Sequence, residues 1–90
     1  MIIQAHIIYF GTVQGVGFRY TVQFVARHLN LLGWVRNLRD GNVEMIVEGT
    51  KETIEELCLR IEEHFEGSIR DKQISFQPAQ QKFKNFEITV

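Results

Sequence analysis

The sequence predicts an α+β fold in which two helices cover one face of an antiparallel sheet. Three observations carry this expectation. The apolar period changes from two residues to three and four at Phe18 and again after Thr50, which marks two amphipathic helices. Each helical stretch is flanked by short runs rich in β-branched and aromatic residues, the composition of strands. Between the two halves stands Asp40-Gly41, a strong hairpin signal because glycine tolerates positive φ.

Residues 2–10 read IIQAHIIYF, with Ile3, Ala5, Ile7 and Tyr9 on one face and mixed residues on the other, a largely buried strand. The glycine-rich stretch GTVQGVG stops it at Gly11. From Phe18 the residues Phe18, Val22, Val25, Ala26 and Leu29 form one apolar stripe, a helix expected to end before Gly33. Trp34–Leu38 and Val43–Val47 are two strands joined by Arg39-Asp40-Gly41-Asn42, the second alternating Val43, Met45 and Val47 against Glu44 and Glu48.

Thr50 is placed to cap a second helix. On it Ile54, Leu57, Cys58, Ile61 and Phe65 lie on one side, with Glu52, Glu55, Glu56, Glu62 and Glu63 exposed opposite, and it ends near Gly67. Two runs follow, around Lys72–Gln77 with Ile74 and Phe76 in phase, and at Phe83–Val90 with Phe86, Ile88 and Val90 in phase. The order is read as βαββαβ, with the run near Ile74 left open. Two βαβ halves joined by a hairpin match the ferredoxin-like split βαβ arrangement. Ninety residues suffice for one domain, spanning 1–90, and are too few for two.

Hydrophobic residues at 44% and charged residues at 23%, with a single proline, are those of an ordinary globular chain. A formal net charge of −1 offers a polyanion little attraction. The third strand also lacks the aromatics of an RNA-stacking platform, so no nucleic-acid partner is expected. One cysteine, Cys58, permits no internal disulfide, and His6, His28 and His64 lie far apart without ligand spacing. No metal site or cofactor is implied, and a cytoplasmic setting is expected. No apolar stretch approaches the roughly 20 residues of a membrane span. Small size without an apolar surplus suggests a monomer.

Fold alone does not decide function; the loop after the first strand does. Gln14-Gly15-Val16-Gly17-Phe18-Arg19 lies where a strand ends and a helix begins, so glycines let backbone N–H groups turn inward beside a helix N-terminus, an anion cradle. Arg19 falls in the first helical turn, where the macrodipole disfavours a cation by roughly 0.3–1 kcal/mol. That placement suits an anion held between the guanidinium fork and the loop amides. The two glycines would equally serve a tight turn with Arg19 in solvent, and the residues alone leave both readings open. A dinucleotide fingerprint fails at Tyr20, and no Walker Gly-Lys-Ser/Thr exists in the chain.

Gly11-Thr12-Val13-Gln14-Gly15-Val16-Gly17-Phe18-Arg19 resembles the acylphosphatase signature G-x-V-Q-G-V-x-F-R at every specified position. Gly33-Trp34-Val35-Arg36-Asn37, followed by Gly41, Val43 and Gly49, is similar to that family's second block. The resemblance covers the chain's full length, although the tail after Gly67 carries no matching motif and Tyr9 stands where many members have an aliphatic residue. It implies that the 14–19 loop binds the phosphoryl group of a small acyl phosphate, with Gln14, Gly15, Val16, Gly17, Phe18 and Arg19 as its phosphate-binding residues. Catalysis falls to Arg19, which holds the phosphoryl group, and Asn37, which orients the attacking water. A phosphate or sulfate ion is expected to occupy the same cradle.

No histidine, aspartate or glutamate lies within either motif as an evident base. Such a site needs an easy leaving group, and a carboxylate, with a pKa of about 4, leaves without a proton. A specialised module of the kind that opens hydrogenase-maturation carbamoyl-transfer proteins, acting on carbamoyl phosphate, is the rival reading. Trp34 and Phe18 are placed either as pocket walls or against the first helix. Arg36 and Arg39 are read as a solvated strand face, and Cys58 as core.

Overall fold

The alternate residues Ala5, Ile7 and Tyr9 are buried on one face of strand β1 (Ile3–Gly11), and the rest of the molecule assembles on that face. The computed structural model describes residues 1–90. After β1 come α1 (Phe18–His28), β2 (Leu32–Asn37), β3 (Val43–Gly49), α2 (Lys51–His64), β4 (Ile69–Pro78) and β5 (Phe86–Ile88). The strands lie in the order β4-β1-β3-β2-β5.

β3 is the central strand, antiparallel to β1 and to β2, and β1 is antiparallel to β4 at one edge. Both runs of the tail therefore become strands, giving βαββαββ in place of the shorter order. The sheet is mixed and not wholly antiparallel, because β5 pairs with β2 in parallel, Gly33 opposite Phe86 and Val35 opposite Ile88. The segment after β4 makes this possible by crossing to the far edge of the sheet before pairing.

Helix α1 buries Phe18, Val22 and Ala26, and α2 buries Ile54, Leu57, Cys58 and Ile61, with Phe65 beyond it. These side chains meet Ala5, Ile7, Tyr9, Val35, Val43, Met45, Val47 and Phe86 of the sheet in one core. Phe18 joins the halves, lying edge-on to Tyr9 at 5.6 Å between ring centroids and 4.7 Å from Phe65. Thr50 caps α2 as expected, its Oγ1 accepting from Thr53 N–H at 3.2 Å.

Helix α1 ends before Gly33, as expected, and it is closed at Asn30. Asn30 takes the left-handed conformation (φ 59). Leu31 N–H donates to Ala26 O at 2.8 Å and Asn30 N–H to Arg27 O at 3.1 Å, a Schellman closure. Gly33 instead lies inside β2, where a Cβ would come within 1.9 Å of Ile46 O. Close strand approach, not helix termination, is the reason for a glycine there.

Trp34 alternates with the buried Val35 and so lies on the open sheet face, beneath the Arg36 guanidinium at 5.0 Å, and does not pack against α1. Two acids also depart from a solvated role. Glu48 is only 3% exposed, accepting from Gln4 Nε2 and Gln80 N–H at 2.7 Å and from Gln81 N–H at 3.1 Å. Glu62 accepts from Tyr9 Oη at 2.8 Å and Lys72 Nζ at 2.7 Å. No helix is long and apolar enough to cross a membrane.

Candidate active site

The C-terminal ends of β1 and β2 and the N-terminus of α1 open at the same end of the sheet, because β1 and β2 both pair antiparallel with β3. The segment from Gly11 to Phe18 turns there. Gly15 (φ 77) and Gly17 (φ 79) both occupy the left-handed region, which costs a side-chain-bearing residue about 1–2 kcal/mol. Gly17 is the N-cap of α1 and offers no side-chain acceptor, and no acidic residue stands in the first turn. The backbone N–H groups of Gly15, Val16, Gly17, Phe18, Arg19 and Tyr20 consequently have no acceptor within the protein. Added to the positive end of the helix dipole, they make a concentrated anion-binding potential.

Arg19 is half-buried at this end and forms no ion pair. A cation in the first turn of a helix, without a carboxylate, is repelled by the dipole, and an anion in the cradle would reverse the sign of that interaction.

Asn37 is the last residue of β2, opposite Val43, on the helix-facing side with Gly33 and Val35. Its Oδ1 is buried and accepts no hydrogen bond, the one side-chain polar atom of the chain in that condition. Buried acceptors are nearly always satisfied, so an orphan at a strand end beside a cradle calls for a donor from outside the protein.

Gln14 joins these parts. Its Nε2 donates to Leu38 O at 2.7 Å and to Asn42 O at 2.9 Å, tying the loop to the residue after Asn37 and to the far side of the β2–β3 turn. Both amide hydrogens are thereby used, and the Gln14 side chain is unavailable to a phosphate. The side chain thus ties loop to hairpin, and a contact of Gln14 with a phosphate would fall to its backbone N–H, which has no acceptor within the protein. The turn is further closed by Leu38 N–H to Asn42 O at 2.8 Å and by Asn42 N–H to Asp40 Oδ1 at 3.0 Å. Leu38 and Asn42 thus serve through carbonyl oxygens, which no side-chain pattern reveals.

The remaining candidates lie elsewhere. Burial pushes the Cys58 thiol up in the core under α2, away from thiolate chemistry. Burial likewise raises the Tyr9 phenol, and with its ring in the core Tyr9 presents no stacking surface. His6 and Arg36 both bond Glu44, each at 2.7 Å, on the open face. Asp40 is exposed and engaged in the turn. The chain contains no cluster of three His, Cys, Asp or Glu side chains suited to a metal.

The acylphosphatase profile matches residues 5–88. The chain is 50% identical over 56 residues to an acylphosphatase of Nostoc sp., a match covering 62% of this chain and 55% of that relative. Identity to an acylphosphatase of Aeropyrum pernix is 37% over 89 residues, covering 97% of this chain and 88% of the relative. The crystal structure of acylphosphatase from Bacillus subtilis superimposes with a TM-score of 0.88 at 34% identity, covering 98% of this chain and 99% of that one. By profile, sequence and fold together, the chain belongs to the acylphosphatase family.

Proposed function

We propose that this protein is itself an acylphosphatase, hydrolysing the carboxyl–phosphate bond of small acyl phosphates to a carboxylate and inorganic phosphate. One observation carries the reading: a row of unpartnered loop amides and an unpaired arginine share one end of the sheet with an orphaned amide oxygen at Asn37. The first two suit a phosphoryl group, and the third suits a water beside it. The family relatives bear the same name.

In this mechanism the phosphoryl oxygens lie against the N–H groups of Gly15 to Arg19 and the Arg19 fork. Asn37 Oδ1 accepts one hydrogen of a water and so aims an oxygen lone pair at phosphorus. A bond forms from that oxygen to phosphorus as the bond from phosphorus to the acyl oxygen breaks, and its electron pair leaves with the carboxylate. The proton of the attacking water passes to a phosphoryl oxygen. The leaving carboxylate, with a pKa of about 4, needs no general acid. Positioning and charge stabilisation then carry the catalysis, without a metal or cofactor. The protein acts as a monomer in the cytoplasm, where a free Cys58 is at home.

The experiment is hydrolysis of benzoyl phosphate and p-nitrophenyl phosphate side by side in EDTA, with wild type and Arg19→Ala. Arg19-dependent loss of the anhydride alone is expected, with inorganic phosphate as a competitive inhibitor. No turnover of either substrate would sink the proposal.

A further inference from the structure

The β2–β3 turn carries a chemically reactive step, Asp40-Gly41, that the proposed hydrolysis does not use. Asp40 is exposed to water, and a Cβ on Gly41 would meet nothing within 4 Å. Gly41 (φ 94) takes the left-handed place in the loop Arg39-Asp40-Gly41. That loop is closed by Leu38 N–H to Asn42 O at 2.8 Å and by a longer bond, Gly41 N–H to Leu38 O at 3.2 Å. Asp40 Oδ1 accepts from Asn42 N–H at 3.0 Å, an Asx turn whose hydrogen-bonded ring includes Gly41 N. The carboxyl is thereby folded back over the main chain that follows it, and the next residue has no side chain to shield its nitrogen.

We infer that Asp40 is a site of spontaneous covalent modification, where the chain isomerises to isoaspartate and so disables the hairpin beside Asn37. The Gly41 nitrogen gives up its proton and bonds to Asp40 Cγ, while one carboxyl oxygen leaves as water and a five-membered succinimide closes. Water then adds back to one of its two carbonyls. Attack at Cγ breaks the new bond and restores aspartate. Attack at the former main-chain carbonyl breaks the old peptide bond, so the backbone runs on through Cβ and Cγ with a free α-carboxyl beside it. Atoms balance with no oxidant or metal. Elsewhere the same ring is hindered: Asp71 is paired with Phe10 in the sheet and precedes Lys72, and the asparagines precede Leu31, Leu38, Val43 and Phe86.

The consequence follows from what the turn holds. Isomerisation lengthens the main chain by one carbon, about 1.5 Å, between Leu38 and Asn42. The carbonyl oxygens of those two residues are the acceptors of Gln14 Nε2, at 2.7 and 2.9 Å. The tie between loop and hairpin cannot keep both bonds, and Asn37, the residue before Leu38, moves with the turn. The modification itself does not depend on the acylphosphatase reading; only the loss of turnover rests on it.

The test ages the purified protein for weeks in warm neutral buffer beside a urea-unfolded sample. Peptide mapping, in which isoaspartate shifts retention without changing mass, is combined with enzymatic methylation of the free α-carboxyl and with turnover of benzoyl phosphate. Isoaspartate should accumulate at position 40 and not at position 71, and isomerised molecules should lose on the order of 10²-fold in kcat. Asp40→Asn, with ammonia as the leaving group, should age faster. Asp40→Glu, which would need a six-membered ring, should keep its fresh activity throughout. Isoaspartate at position 40 only in the unfolded sample would overturn the inference, because the folded turn would then protect the step. Isomerisation with undiminished turnover would overturn its link to the hairpin. Fresh protein without activity would sink the acylphosphatase reading and leave the modification to be decided by the mapping.

Discussion

Gln14 and Leu38, 24 residues apart in the chain, meet through a 2.7 Å hydrogen bond from a side-chain amide to a backbone carbonyl. That contact, with its companion to Asn42 O at 2.9 Å, sets the anion cradle relative to Asn37. On the proposed mechanism the signature glutamine is a positioning residue. Gln14→Ala should lower kcat on the order of 10²-fold, since a misplacement of about 1 Å can cost that much. It should also cost about 1–2 kcal/mol of stability from two part-buried hydrogen bonds. Gln14→Glu should be worse in a thermal melt, because a carboxylate would face two carbonyl oxygens. A Gln14→Ala enzyme with wild-type kcat would remove the glutamine from the site's architecture.

On the proposed mechanism Arg19 serves by its shape as well as its charge. Arg19→Ala should reduce kcat/KM for benzoyl phosphate on the order of 10³-fold, the scale of an arginine serving a transferring phosphoryl group. Arg19→Lys should fail almost as badly, because a point charge cannot replace the bidentate fork. Steady-state kinetics on the two variants decides this, and near-normal turnover by the lysine form would count against it.

The proposed role of Asn37 separates catalysis from binding. Its orphaned Oδ1 is assigned to water and not to phosphate, so Asn37→Ala should lose kcat on the order of 10²-fold or more while inorganic phosphate still binds. Calorimetric titration with phosphate provides the check. If the variant no longer binds phosphate, Asn37 has a structural role instead.

The open sheet face predicts an acid dependence of stability. Burial would raise the Glu44 carboxyl, but hydrogen bonds from His6 Nε2 and Arg36 Nε, both at 2.7 Å, outweigh it and hold the group below its usual 4.5. A depressed carboxyl pKa contributes stability that is present above the unfolded value and lost as pH falls through the folded one. Thermal melts should therefore show wild type losing stability from about pH 5 downward. Glu44→Gln should follow a shallower decline; parallel curves would show that Glu44 is not a source of the acid sensitivity.

Most of the architecture was legible because it rests on local periodicity. The stripe from Phe18 to Ala26, the buried Ile54, Leu57, Cys58 and Ile61, the Thr50 cap and the Asp40-Gly41 turn all follow from spacing and turn chemistry within a few residues. The glycine turn leading into α1 was legible for the same reason, since Gly15, Gly17 and Arg19 lie close together in the chain.

Tertiary structure decided what depends on residues far apart in the chain. The Schellman closure at Asn30 fixed where α1 ends, and the parallel pairing of β5 with β2 needed a partner 53 residues away that no local pattern names. Burial of Glu48 beneath the backbone of Gln80 and Gln81, and the turning of Trp34 to the open face, depend on which side of the sheet the last loop and the helices cover. The sequence by itself determined most of the elements, the glycine loop before α1 and the kinship of the two motifs. Only the fold decided that Gln14 ties loop to hairpin and that Asn37 Oδ1 stays unpaired, because hydrogen-bond satisfaction is a property of packed atoms and not of residue order.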